Sequence, residues 1–370
     1  MKPWRIVYFI YKIIFPKISF PVRRRQKKLR HILLCIVDHF EPGNGNVSYD
    51  AQIKRVNTWV KCYPEMAKNF TDFDGRHPQH TWFYPPHYDI SFLKTLVQLC
   101  SSGFGEIEMH LHHNRMLPFP DTGETLKKKI LSCINDYSKY GVFTLPNGKK
   151  TFAFVHGDWS LDNSRGKKFC GVNNEIVILK ECGCYADFTF PCLNLAQPLL
   201  VNTIYYAKDN HRYKKSYTWG RKVEVGKKEW GDLMIVQGIL AIRRNYKKGF
   251  LSFQLETSDL DSEDSPSIKR IDFWIKNAIT IGGKDDWLII KLHTHGAIES
   301  SWDVLFGEKA FLMHKYLRER YNDGENFCLH YVTARELFNI IKAAEAGRDG
   351  NPNLYRDYVV APYVYLVRNL

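Results

Sequence analysis

The feature that most constrains this chain is the regular alternation of short β-rich runs with helical ones, the former repeatedly ending in His or Asp. His31 to Val37 is an unbroken apolar run and predicts a buried strand. Gln52 to Met66 predicts a helix, and His80 to Tyr84 a second strand stopped by Pro85 and Pro86. The alternation continues with a helix over Phe92 to Cys100, a strand over Glu106 to His112 and a helix over Thr125 to Tyr140. A strand over Thr151 to His156, a helix over Asn174 to Glu181 and a strand over Tyr185 to Phe190 follow. Residues 195–265 are less regular, with candidate strands at Leu233 to Ile242 and Gly249 to Glu256. Beyond them come a helix over Ile268 to Thr280, a strong strand over Trp287 to Leu292, and helices over Gly307 to Tyr321 and Ala334 to Ala346.

Strands separated by helices pair in parallel through crossover connections. The expected fold class is therefore α/β. The expected form is a partial or distorted β/α barrel with parallel strands, a basic N-terminal extension (1–30) and C-terminal helices. The barrel spans 31–345, with an irregular insertion near 195–265 and a tail over 346–370. An open, doubly wound sheet is the structural alternative.

The polar residues fall at the C-terminal ends of the expected strands, where β/α barrels build active sites. The first strand runs into Asp38, His39 and Glu41, and the third into His110, His112, His113 and Asn114. The fourth runs into His156, Asp158 and Trp159, and the late strong strand into His293 and His295. Strand residues two apart face the same way, so His110 and His112, His156 and Asp158, and His293 and His295 form same-face pairs. Neutral imidazoles sharing a face can share a divalent ion, and a nearby carboxylate can complete its shell or move a proton.

The order of these segments resembles the polysaccharide deacetylases, carbohydrate esterases built on an incomplete β/α barrel with one divalent metal. Ile36-Val37-Asp38-His39-Phe40 stands where that family has Thr-Phe-Asp-Asp-Gly, and His80-Thr-Trp-Phe-Tyr84 where it has Ala-Thr-Phe-Phe-Val. Glu106-Ile-Glu-Met-His110 is similar to its Glu-Ile-Gly-x-His, and Ile290-Lys-Leu-His293 to its closing Leu-His. The resemblance covers roughly residues 31–300 and implies a metal-dependent hydrolase that removes an acyl group from a carbohydrate or its precursor. It implies Asp38 as the base that activates water and His293 as the acid that protonates the leaving group. It also implies a metal held among His39, His110, His112 and His113. His39 replaces the family's Asp ligand, and Asn114 stands where its second His falls. So nitrogen-rich a donor set suits zinc or another late first-row metal. His156, Asp158, Trp159, Asn163 and His295 are the expected substrate contacts, with turn capping the alternative for Asn163.

Two other readings stay open. A glycoside hydrolase would need two carboxylates across a cleft, for which Glu41, Asp158 and Glu299 are the candidates. A barrel that binds carbohydrate without hydrolysing it is the non-enzymatic reading. The His-x-His of amidohydrolases lies on their first strand, whereas His293-Thr-His295 lies late.

Charge bears on partners. Lys and Arg outnumber Asp and Glu 53 to 39, a net +14, concentrated at Arg23, Arg24, Arg25, Lys27, Lys28 and Arg30 and between Lys208 and Lys228. No nucleic-acid-binding motif accompanies the charge, so nucleic acid is the weaker reading; the excess fits either a solvated face or an acidic or lipid-linked carbohydrate partner. Ile6 to Phe15 is far shorter than the ~20 apolar residues that span a bilayer. Followed by the basic cluster, it fits either peripheral contact with an anionic membrane surface through residues 1–30 or packing on the domain. No small-residue cleavage site follows it. Nine scattered Cys fit free thiols in a reducing compartment, and a cytoplasmic location is expected. Cys170, Cys182, Cys184 and Cys192 cluster without a Cys-x-x-Cys pair.

Overall fold

The computed structural model describes residues 3–16, 28–247 and 250–367. Arg23, Arg24, Arg25 and Lys27 of the basic cluster lie outside the described residues. The strands are β1 (Arg30–His39), β2 (His80–Tyr84), β3 (Gly105–Leu111), β4 (Phe152–His156), β5 (Cys184–Asp187), β6 (Tyr205–Ala207) and β7 (Arg221–Lys222). They continue with β8 (Leu233–Ile235), β9 (Ala241–Lys247), β10 (Phe250–Glu256), β11 (Ile279–Ile281), β12 (Lys284–Thr294) and β13 (Phe327–Tyr331). The helices are α1 (Pro3–Ile14), α2 (Tyr49–Ala67), α3 (Ile90–Ser101), α4 (Gly123–Ser138), α5 (Glu175–Glu181), α6 (Ile268–Asn277), α7 (Trp302–Leu305), α8 (Glu308–Tyr321) and α9 (Ala334–Glu345).

Eleven strands form one mostly parallel mixed sheet, in the order β11-β12-β1-β2-β3-β4-β5-β8-β6-β7, with β13 beside the start of β1. Among the described residues the sheet does not close into a barrel of continuous strand pairs. One parallel bridge, Glu224 with Gly282, joins the chain beyond β7 to the β11–β12 turn. β9 and β10 form a separate hairpin sheet.

β1 is the centre. Its first half pairs with β13 and its last residues with β2, while β12 runs along its whole length. A strand paired on both sides and covered on both faces must be apolar throughout, which is why Ile32 to Val37 are all buried. The flanking helices start at side-chain caps: Ser48 for α2, Asp89 for α3, Thr122 for α4 and Ser267 for α6. Thr333 and Glu336 form a capping box on α9.

The irregular region over 195–265 contributes β6, β7 and β8 to the main sheet, with β8 parallel to β5. The run over Leu233 to Ile242 is two strands, because the chain must bend at Gly238. A Cβ there would lie 2.5 Å from the Lys291 carbonyl oxygen. The helix expected over Ile268 to Thr280 stops at Asn277. The β-branched Ile279-Thr-Ile281 instead pairs antiparallel with β12 across a Gly282–Gly283 turn.

α1 packs on Trp219 through Trp4 and Tyr8, with ring centroids 4.9 and 5.2 Å away. Its opposite side leaves Val7, Ile10, Tyr11 and Ile14 exposed, one apolar stripe at i, i+3, i+4 and i+7. Among the described residues no helix is long and apolar enough to cross a membrane. The nine cysteines are unpaired.

Candidate functional site

The parallel strands β1, β3, β4 and β12 end on the same side of the sheet, and their terminal imidazoles converge. The His39 ring lies 5.0 Å from His110, 4.9 Å from His295 and 6.4 Å from His293, centroid to centroid. The Trp159 ring packs over this group, 5.9 Å from His39 and 6.0 Å from His295. Gly157 lets this happen: a Cβ there would lie 2.4 Å from the His112 ring.

Glu41, His110 and His112 form the open end. The Nδ1 of His110 donates to the Val155 carbonyl (2.9 Å), which fixes the tautomer and leaves Nε2 as a free donor atom. That Nε2 lies 4.0 Å from Glu41 Oε1, and His112 Nε2 lies 2.9 Å from the same oxygen. Neither nitrogen has a hydrogen bond of acceptable geometry, and neither has the buried Nε2 of His39. His112 Nδ1 meets Asp158 Oδ2 at 3.2 Å. Donor atoms of Glu41, His110 and His112 fall within 4.8 Å of one another and can hold a metal ion. Two nitrogens and one carboxylate leave a coordination position open, as in catalytic zinc sites.

The electrostatics match a cation site. Burial lowers the His110 pKa to about 3, which keeps its nitrogen unprotonated and open to a metal. Burial and the neighbouring imidazoles of His295 and His110 hold His39 neutral as well. Burial also lowers that of His112, but Asp158 and Glu41 outweigh it and hold the group at about 9. Burial would raise Glu41, yet His112 brings it down to about 2. A shared proton on His112 thus balances the carboxylates, and an arriving cation would displace it.

Opposite, His293 Nε2 lies 3.9 Å from Asp259 Oδ2. Burial and Lys291 keep His293 neutral. Burial and the negative Asp261 raise Asp259 to about 6. Asp259 had no signal in the sequence, because it sits in an irregular loop and reaches the site only through its bridge to His293.

The structure separates the remaining expected residues. Asp38 lies beneath the cleft, fully buried. Its Oδ1 accepts the Gly296 amide (2.6 Å) and its Oδ2 meets His80 Nε2 (2.9 Å). There is no room for a side chain at Gly296, where a Cβ would come within 2.2 Å of that carboxylate. Asp38 therefore ties β1 and β2 to the turn after β12. Asn163 donates to Asn173 (2.7 Å) and accepts from the Gly171 amide (3.0 Å), a role internal to its loop. Glu299 forms a bidentate pair with Arg55 away from the imidazoles.

His113 and His156 do not face the cleft. His112 and His113 are sequence neighbours, so the chain turns one toward Glu41 and the other away from it. The His113 and His156 rings stack at 4.6 Å in a buried pocket with Cys170 and Glu175, a group that can hold a metal ion. A third group, Asp72, Asp74 and His330, already has its compensating charge: Arg356 lies 3.4 and 3.6 Å from the two carboxylates.

No family model, curated protein or solved structure matches the chain.

Proposed function

We propose that the chain is a metal-dependent hydrolase of the polysaccharide-deacetylase type, on a partial and distorted β/α barrel, acting on an acylated carbohydrate. The observation that carries this reading is the grouping of Glu41, His110 and His112 donor atoms at the C-terminal strand ends, with the buried Nε2 atoms of His110 and of nearby His39 left without a hydrogen bond. A divalent ion of the zinc type held by Glu41, His110 and His112 would supply Lewis acidity toward an acyl carbonyl and toward water.

The chain's own residues supply the rest. The indole Nε1 of Trp159 is a buried donor with no partner, placed to bond a substrate oxygen while its ring stacks on a sugar face. Asp158 orients His112, and its backbone and that of Trp159 are left-handed (φ 55° and 52°), a strained conformation typical of working sites. Asp259, poised near neutrality beside His293, is the proton-handling pair in reach of the cleft. A pocket adjoining Glu41 is lined by Asn44, Gln52, His87, Tyr88 and Arg115. Its polar and aromatic lining suits a sugar, and Arg115 suits an acidic or phosphorylated one. The glycosidase reading fits less well. Glu41 and Asp158 bind opposite nitrogens of His112, which occupies the space an attacking water would need.

The test is acetate release from acetylated amino sugars and polysaccharide fragments, with and without a chelator. Chelator-sensitive release is expected. Liberation of free sugar without acetate would transfer the assignment to a glycosidase, and sugar binding with no turnover to a binding protein. If Asp259 acts as the base, kcat/KM rises as the pH passes upward through about 6, since only the ionised carboxylate accepts a proton. Asp259→Asn should abolish that limb, and an unchanged profile would remove Asp259 from the mechanism.

The exposed stripe of α1 supports contact with an anionic membrane surface. The full chain is expected to co-sediment with vesicles containing anionic lipid and not with neutral ones. Val7→Glu with Ile10→Glu should release it, and equal sedimentation of that variant would rule out α1 as the anchor.

A further inference from the structure

We propose that His113, His156, Cys170 and Glu175 form a closed structural zinc centre, separate from the cleft, that holds the loop carrying Asp158 and Trp159.

The donor atoms have the spacing of a zinc site. His113 Nε2 lies 3.0 Å and His156 Nε2 3.4 Å from Glu175 Oε1, and Cys170 Sγ lies 3.6 Å from Glu175 Oε2. For tetrahedral zinc, with bonds of ~2.0–2.1 Å to nitrogen and oxygen and ~2.3 Å to sulfur, neighbouring ligands sit about 3.3 Å apart, or about 3.6 Å when one is sulfur. The three distances to Glu175 are near that spacing, and all four donor atoms lie within 4.8 Å of one another. All four are 0% exposed.

A shell of outer partners stands behind the ligands. The Nδ1 of His113 lies 3.0 Å from Asp121 Oδ2, itself held by the Lys129 ammonium at 2.9 Å. The Nδ1 of His156 donates to the Gly157 carbonyl at 2.5 Å, turning Nε2 inward. Glu175 Oε2 accepts the Asp162 amide (2.6 Å), and Cys170 Sγ accepts the Val172 amide (3.4 Å). His156, Glu175 and Cys170 are thus each hydrogen-bonded to an outer partner, and the Asp121 carboxylate faces the back nitrogen of His113, as in built metal sites.

Charge and donor chemistry complete the case. Zn²⁺ balances a Cys170 thiolate and the Glu175 carboxylate, while Lys129 balances Asp121. A protonated His113 between Asp121 and Glu175 would satisfy those two acids alone. It would leave the buried His156 Nε2 with no partner, as it stands now. A thiolate with two imidazoles selects zinc over magnesium or calcium. Four protein ligands and no exposure leave no position for substrate, which is the pattern of structural rather than catalytic zinc. The ligands come from the segment after β3, the end of β4, the 164–172 loop and the first turn of α5. A metal there would clamp the wall of the cleft from behind.

The experiment uses the full chain purified without chelator and analysed for metal, then loaded with cobalt. His110→Ala disables the cleft group and leaves this one intact. It is expected to retain about one zinc per chain, and its cobalt form to show a sulfur-to-cobalt charge-transfer band that Cys170→Ser abolishes. Absence of bound metal from His110→Ala, or a cobalt spectrum with no thiolate band, would overturn the proposal. If Cys170→Ser does not fold, the cobalt spectrum of His110→Ala decides the matter alone. Loss of the cleft metal assignment would show instead as equal metal content in wild type and His110→Ala.

Discussion

His110→Ala is expected to abolish turnover of an acylated carbohydrate and leave the fold in place. His110 is the imidazole whose back nitrogen is fixed by Val155 and whose front nitrogen faces Glu41. Removing it takes away one of the three donors that can hold the cleft ion. Lewis-acid stabilisation is worth several kcal/mol, and at ~1.4 kcal/mol per tenfold its loss lowers kcat/KM by at least ~10³-fold. The substitution deletes a fully buried ring, so a stability loss of a few kcal/mol accompanies it. Circular dichroism therefore has to show native structure at the assay temperature. A folded His110→Ala chain with undiminished, chelator-resistant turnover would defeat the metal-hydrolase reading.

Asp38→Ala is expected to act first on stability. The carboxylate is fully buried and serves two donors, the Gly296 amide and His80. Deleting it leaves both donors without an acceptor in the interior, at about 1–3 kcal/mol each, with a small cavity in addition. A total near 3–5 kcal/mol should appear in denaturant unfolding. The turn from His293 to Gly296 should loosen, so activity falls with stability. Asp38→Asn keeps an acceptor for the Gly296 amide and is expected to recover part of the stability. The opposite pattern, native stability with no turnover in either variant, would assign Asp38 the role of the base implied by the family resemblance.

The elements of the first half were legible because each carries its own signal. The unbroken apolar run of β1, the proline stop after β2 and the glycine closures of the helices need no partner to be recognised. Elements that depend on a neighbour were not legible in the same way. β13 is a five-residue strand, Phe327–Tyr331, that lacks the proline stop marking the equally short β2. β6 and β7 are three and two residues long, fall in the irregular region and form where β8 offers hydrogen bonds to β6 and β6 to β7. The expected fifth strand, Tyr185 to Phe190, ends at Asp187. The candidate site divides along the same line. The structure brings His39, His110, His112, Asp158, Trp159, His293 and His295 near one another, each close to a strand end. Asp259 and Glu175 come from a loop and a helix start, and their partners are distant in sequence.

By itself the sequence determined the class of fold and the side of the sheet on which the chemistry gathers. Both follow from local periodicity: alternation of two and of 3.6 residues sets the elements, and strand ends in a parallel sheet point one way. Only the tertiary structure decided how the histidines are shared out. Sequence spacing says that His112 and His113 cannot face the same way, but not what each will meet. Burial then sorted them, placing His112 between Glu41 and Asp158 and His113 between Asp121 and Glu175. An imidazole in the interior must find a polar partner, and which partner depends on chain segments that meet only when the fold is complete.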